Sequence, residues 1–228
     1  MPAVDLHSID LLREDLLRIE PPFLLRKYEA TEEDYESLAQ EDLRCEYLDG
    51  VLIVHSPATL EHEERVGFLT ILVGGFVSQR KLGRMYTSNA VMQFGGPSSK
   101  RFCADVSVLK HDSAKRVRGG RVHGPMDLAI EVISESTRAY DLGDKRRAYR
   151  EGRVPEIWLL DYARKQAWFD LLVAGAYVEE SMTSGRFNSR VLPGLSLDVG
   201  WIWAEELPEP LACLKSLKPS PRRSRSKR

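Results

Sequence analysis

The alternation of apolar and polar positions divides the chain into short strands and a few helices. Thr31 opens a helix, with Asp34 three residues on completing a capping box. Residues 44–48 and 51–56 flank Asp49-Gly50, a good β-hairpin turn. Residues 58–80 repeat apolar positions at helical spacing, opened by Pro57 and closed near Gly83. Weaker strand signals lie at 84–88 and 90–94, before a loop at 95–99. Residues 102–109 and 127–133 are β-branched apolar runs, each with one carboxylate in its interior. A helix over 141–151 and a buried strand over 156–161 follow. From 167 to 199, alternation punctuated by Ala174-Gly175, Ser184-Gly185 and Pro193-Gly194 predicts strands and hairpins. This order predicts an α/β domain with a central mixed β-sheet flanked by helices and C-terminal β-hairpins.

At 228 residues, with 43% hydrophobic and 29% charged residues, the chain has the composition of a globular protein with one main core. No apolar run reaches the roughly 20 residues a bilayer requires, so no membrane association is expected. Cys45, Cys103 and Cys213 are odd in number and far apart, which suits a reducing, cytoplasmic setting and no zinc site. Residues 1–28 read as a loosely attached N-terminal leader with a short helix around 9–19, residues 29–207 as the domain, and residues 208–228 as a basic, disordered tail.

The net charge of -1 conceals a strong asymmetry. Residues 215–228 carry seven Lys or Arg and no acid, while residues 1–214 carry 26 bases against 34 acids. Residues 110–123 add five Lys or Arg and two His around Gly119-Gly120, and read as a mobile loop. Both segments are candidate phosphate contacts; the alternative for the tail is a solvated end with no partner.

Dinucleotide, P-loop, serine-hydrolase and HExxH motifs are absent. What remains is charged groups in apolar settings. Asp105 and Glu131 interrupt the two apolar runs, and a buried carboxylate is costly unless it is paired or holds a metal. Two such oxygen donors suit Mg²⁺ or Mn²⁺ better than zinc; the alternative is that each pairs with an arginine. Lys145 shares a helix face with Leu142, Ala148 and Tyr149, either as a snorkelling lysine or as a lysine aimed at the carboxylates. His62 aligns with Val66, Leu69, Val73 and Phe76, and Glu46 precedes the Asp49-Gly50 turn. Either residue could converge on the same place.

The stretch from Cys45 to Val54, with Ser56-Pro57 and His62, resembles the opening of the Uma-two family of putative restriction endonucleases. The match continues through residues 104–108 and is best over 128–161, where Glu131-Val132-Ile133-Ser134, Tyr140-Asp141, Asp144-Lys145 and Gly152 to Trp158 fall in order. The resemblance spans roughly residues 28–205 and implies the PD-(D/E)XK nuclease fold, a restriction endonuclease-like core. It implies that Asp105, Glu131 and the carbonyl of Val132 hold Mg²⁺ or Mn²⁺, with Glu46 and His62 in support. Ala104 stands where the family's proline would be, and Ile133 where the lysine would be; the resemblance assigns that lysine's role to Lys145. The implied activity is metal-dependent hydrolysis of phosphodiester bonds in DNA, possible as a homodimer. Competing readings are a catalytically silent nucleic-acid-binding module, a metal-dependent hydrolase of a small phosphorylated substrate, and an accessory protein acting through its tail.

Overall fold

A computed structural model describes residues 16, 18–39, 43–95 and 100–217. All of the expected helix at 9–19 except residues 16, 18 and 19, and the extreme C-terminal residues 218–228, lie outside the described residues. Strand β1 (Leu24–Lys27) is followed by helix α1 (Glu32–Ala39). The Thr31 hydroxyl accepts the Asp34 amide at 3.1 Å and the Asp34 carboxylate accepts the Thr31 amide at 2.9 Å, closing the expected capping box. Strands β2 (Cys45–Leu48) and β3 (Val51–His55) form the hairpin. Its turn needs two residues of positive φ, which Asp49 (47°) and Gly50 (84°) supply.

Helix α2 (Leu60–Arg80) starts at Thr59, whose side chain accepts the His62 amide, and ends at left-handed Lys81. Pro57 and Gly83, the expected boundaries, lie just outside it. Gly83 instead opens β4 (Gly83–Thr87), where a Cβ would sit 2.2 Å from the Leu109 carbonyl oxygen. Strand β5 (Val91–Phe94) follows. The run expected as one strand over 102–109 is two, β6 (Lys100–Cys103) and β7 (Val106–Lys110), broken at Ala104-Asp105.

Residues 110–123, expected as a mobile loop, carry secondary structure. A 3-10 helix (His111–Arg116) leads into β8 (Val117–Arg118) and β9 (Arg121–His123). The Asp127 carboxylate holds this segment by accepting the Lys110 amide at 2.7 Å and the Ser113 hydroxyl at 2.8 Å. Arg121 is engaged by Glu36 at 2.7 Å, whereas Lys115 and Arg118 are exposed. Of the expected basic patch, part is therefore spent internally.

Strand β10 (Leu128–Ile133) is followed by α3 (Arg138–Tyr140), a π-helical turn (Asp141–Lys145) and α4 (Arg146–Glu151). Then come β11 (Glu156–Asp161), the β12 (Gln166–Val173) and β13 (Ala176–Met182) hairpin, and the small β14 (Arg186–Asn188) and β15 (Ser196–Asp198) pair. One sheet runs β13-β12-β11-β10-β7-β4 and is antiparallel except for β10 beside β11. The other runs β1-β3-β2-β6-β5-β9-β8, with β5 and β9 parallel. The fold is thus mixed α/β, its mixed sheets flanked by helices and its C-terminal hairpins as expected. The leader is not loosely attached at its end: Leu24 to Lys27 pair with residues 52–55 of β3.

Alternation along β10 divides the core. Leu128, Ile130 and Val132 pack with Leu69, Val73 and Phe76 of α2. Ala129 and Ile133 face a second cluster that includes Ile53, Phe102 and Tyr149. Glu131 lies between those two on the same strand face. Helix α5 (Pro210–Ser216), inside the expected disordered tail, packs Cys213 and Leu214 into the α2 cluster, with Leu217 just beyond. Glu209 caps its Leu211 and Ala212 amides, and Gly75 leaves the space that Leu214 fills. A reading built on Lys, Arg, Ser and Pro overlooked this short apolar stretch.

Candidate active site

The break between β6 and β7 carries the chain from one sheet to the other, and Asp105 stands at the crossing. Its Oδ2 accepts the Val132 amide at 2.8 Å, tying the break to β10 beside Glu131. Its Oδ1 lies 2.6 Å from Arg44 Nη2, and Oδ2 lies 3.3 Å from His62 Nε2. His62 comes from the first turn of α2, while Arg44 directly precedes β2. Burial works to raise the Asp105 carboxyl, but Arg44 and His62 outweigh it and hold the group well below the ordinary carboxylate range. Burial likewise opposes protonation of His62, and Asp105 reverses that, so the imidazole is shifted up.

Lys145 lies at the end of the π-helical turn and is completely buried. Its ammonium meets Glu46 Oε1 at 2.9 Å, Glu131 Oε1 at 3.0 Å and the Cys103 carbonyl at 3.1 Å, a partner for each of its three protons. Burial would lower its basicity, but Glu131 and Glu46 shift it up instead. Glu46 also accepts the Tyr140 hydroxyl at 2.7 Å, the Cys103 amide at 3.0 Å and a hydrogen bond with His55 at 3.1 Å. Burial raises the Glu46 carboxyl, but Lys145, His55 and Arg44 hold it below its ordinary range. Glu131 accepts the Tyr149 hydroxyl at 2.6 Å. Its carboxyl is pushed well up, first by burial and then by Asp105, Asp141 and Glu46, against the pull of Lys145.

Glu46, His62, Asp105, Glu131 and Lys145, singled out in the sequence, thus fall in two adjoining groups, Asp105 with His62 and Lys145 with Glu46 and Glu131, which meet where the Val132 amide, next to Glu131, bonds Asp105. Sequence reasoning missed Arg44, His55, Tyr140, Asp141 and Tyr149. Arg44 lies just outside β2, and its role comes from Asp105, 61 residues further along the chain. Asp141 was visible as an acid in a helix, but nothing local shows that it is buried; there its carboxyl is shifted up, chiefly by burial. Burial, with Glu46 adding to it, pushes the Cys45 and Cys103 thiols up to about 12, so neither is a nucleophile near neutral pH.

Asp105 and Glu131 offer the carboxylate oxygens that a hard divalent cation takes. The four acids Glu46, Asp105, Glu131 and Asp141 face two permanent cations, Arg44 and Lys145, and the raised Glu131 carboxyl registers that excess. The residues therefore fit a divalent cation in donor type and charge. In geometry they are closed: among the described residues no three His, Cys, Asp or Glu side chains gather as a cation would require. Arg44 supplies positive charge at Asp105.

Among solved structures, the fold is similar to a putative nuclease belonging to DUF820 from Anabaena variabilis, with 14% identity and a TM-score of 0.62. The alignment covers 75% of this chain and 96% of that one, a likeness of fold. No curated protein matches the chain. The family model Uma2, described as putative restriction endonuclease, matches residues 32–200, and the chain belongs to that family.

Proposed function

We propose that the chain is a divalent-metal-dependent endonuclease that hydrolyses phosphodiester bonds in DNA, with Mg²⁺ or Mn²⁺ as its cofactor. The observation that carries the reading is the hydrogen bond from the Val132 amide to Asp105 Oδ2, which brings Asp105 beside Glu131 where the two sheets meet. Asp105, Glu131 and the Val132 carbonyl would hold the metal, which supplies Lewis-acid charge neutralisation and an activated water. Arg44, released from Asp105, would turn its guanidinium to the phosphate, for which its planar fork is suited. Lys145 keeps Glu131 and Glu46 oriented and adds positive charge where negative charge develops. Glu46, with Tyr140 and His55, is the anchor that holds Lys145. His62 orients Asp105 from the other side. The exposed Lys115 and Arg118 would supply backbone contacts that position nucleic acid without reading its sequence.

The test is nicking of supercoiled plasmid with Mn²⁺ or Mg²⁺, with calorimetric titration of the same metal into wild type and Glu131→Gln. Cutting in wild type and its loss in the variant is the expected result; metal-independent cutting, or full activity in the variant, refutes the assignment. The burial of the acids and their internal partners favour a second reading, a catalytically silent nucleic-acid-binding module. That protein would retard DNA in a gel and never cut it.

A further inference from the structure

Between α2 and the loop that leads into α5 lies a groove of about 530 Å³. Its apolar lining comes from Phe68 and Ile71 of the helix and from Leu207 and Pro208 of the loop. Ile71 is 45% exposed, so the groove carries uncovered apolar surface. Its charge is of one sign: Glu64, Glu205, Glu206 and Glu209 line it, and among the described residues no Lys, Arg or His does. Glu209 is occupied in capping α5. Glu64, Glu205 and Glu206 are exposed and have no cationic partner among the described residues. Bare carboxylates gathered on one groove repel one another and build a negative potential over it. A cationic segment that brings some apolar surface relieves the repulsion and covers the floor at once.

We propose that this groove docks residues 218–228 of the same chain. Charge and composition match: the segment from Lys218 to Arg228 holds six Lys or Arg, two Pro and no acid. Reach matches as well. Pro210 lines the groove and Leu214 sits beside Gly75, so α5 leads away from the groove along α2. Its seven residues cover about 10 Å. Pro219 and Pro221 disfavour continuing the helix in that outward direction. Three or four extended residues, at about 3.3 Å each, span the return. The residues from Arg222 onward then fall over the groove, and they carry five of the six cations. Tethering decides between this segment and that of a second copy, because a short linker holds its own segment at an effective concentration on the order of mM. While docked, these cations are neutralised by carboxylates, so nucleic acid has to displace the segment before its phosphates can use it. The docking goes beyond the nuclease reading and rests on neither the metal site nor turnover.

The test is carbodiimide cross-linking of the full chain at micromolar concentration, which condenses a lysine ammonium and a carboxylate in contact into an amide, with the linked peptides identified by mass spectrometry. Lys227 is the reporter, since Lys218 adjoins α5 in any arrangement. Its linkage to Glu64, Glu205 and Glu206 is expected to exceed its linkage to Asp112, an equally exposed acid elsewhere, by at least about tenfold. In 1 M NaCl, where charges are screened beyond about 3 Å, that excess should fall severalfold. Glu205→Gln combined with Glu206→Gln should lower the Lys227–Glu64 linkage at least about threefold, and both substitutions are on the surface, so far-UV circular dichroism should not change. Mixing ¹⁴N and ¹⁵N chains should give links within one isotope only. Links between isotopes would assign the groove to a second copy and overturn docking within the chain. Absence of Lys227 links to the groove, or their even spread over exposed acids, overturns the docking itself. A Lys227–Glu64 yield unchanged by the double substitution and by salt does the same.

Discussion

Glu131 Oε1 lies 3.0 Å from the Lys145 ammonium, yet the Glu131 carboxyl is held well above its ordinary range, because burial and three neighbouring acids together outweigh that one cation. The ionised form of this carboxyl is therefore disfavoured relative to an exposed glutamate. Glu131→Gln is nearly isosteric, and its amide oxygen can accept from Tyr149 and Lys145 as before. Its unfolding free energy in urea should change by no more than about 1 kcal/mol. Metal-dependent cleavage should fall by ~100-fold or more, a loss in the range found when a key electrostatic group is removed. A large loss of stability would show that Glu131 is ionised in the folded chain.

Asp105 should behave in the opposite way. It is ionised and faces Arg44 at 2.6 Å, so Asp105→Asn leaves a largely buried guanidinium without its counter-ion. Breaking a buried pair from one side costs about 3–5 kcal/mol, and the partial exposure of Arg44 points to the lower end of that range. The urea midpoint of the variant in chelator measures this directly. Activity should be lost too, but only the stability loss separates Asp105 from Glu131.

The acid sensitivity of the fold has a second source away from these groups. Asp170 on β12 is buried and accepts from Arg146 at 2.8 and 2.7 Å and from Arg150 Nε at 2.7 Å. Burial raises its carboxyl, but the two arginines outweigh it, and the folded value lies below the ordinary 3.8. A depressed carboxyl contributes stability that is present above its ordinary value and is lost as pH falls through the folded one. Asp170→Asn should therefore cost about 1–3 kcal/mol at pH 7, and the gap to wild type should narrow below pH 4. Urea titrations at pH 7, 4 and 3 would show it; a constant gap would contradict the sign.

Gly83→Ala is expected to be the most damaging of the small substitutions. Its Cβ would meet the Leu109 oxygen at 2.2 Å and the Lys110 Cα at 2.6 Å, both backbone atoms paired across β4 and β7. Overpacking of this kind costs about 1–3 kcal/mol or more. Thermal unfolding of the variant, with Gly67→Ala as a control that meets nothing within 4 Å, measures the difference.

Local pattern was enough for the elements whose chemistry is local. The Thr31–Asp34 capping box, the Asp49-Gly50 turn and the apolar stripe of α2 each require only residues a few positions apart, and each was legible. The break at Ala104-Asp105 was not, because the apolar pattern resumes directly after Asp105 and only the transfer between two sheets explains the interruption. Asp105, Glu131 and Lys145 stood out by their apolar surroundings, as did His62 on its helix face. Their partners did not. Arg44, Tyr140 and Tyr149 are ordinary residues in sequence, and their roles come from distances that span much of the chain. Residues 110–123 were misread for the same reason: basic composition describes a solvated loop unless acids elsewhere, here Asp127 and Glu36, are known to face it.

Helix α5 has a consequence for how the chain is made. Leu214 occupies the space beside Gly75, yet Pro210, where α5 starts, is synthesised 130 residues after Arg80, where α2 ends. At roughly 5–20 residues per second, α2 leaves the ribosome about 6–26 s before the helix that covers it. Through that interval the flank of α2 that includes Gly75 stays bare, an adhesive strip for chaperones or for neighbouring nascent chains until the last turn of α5 seals it.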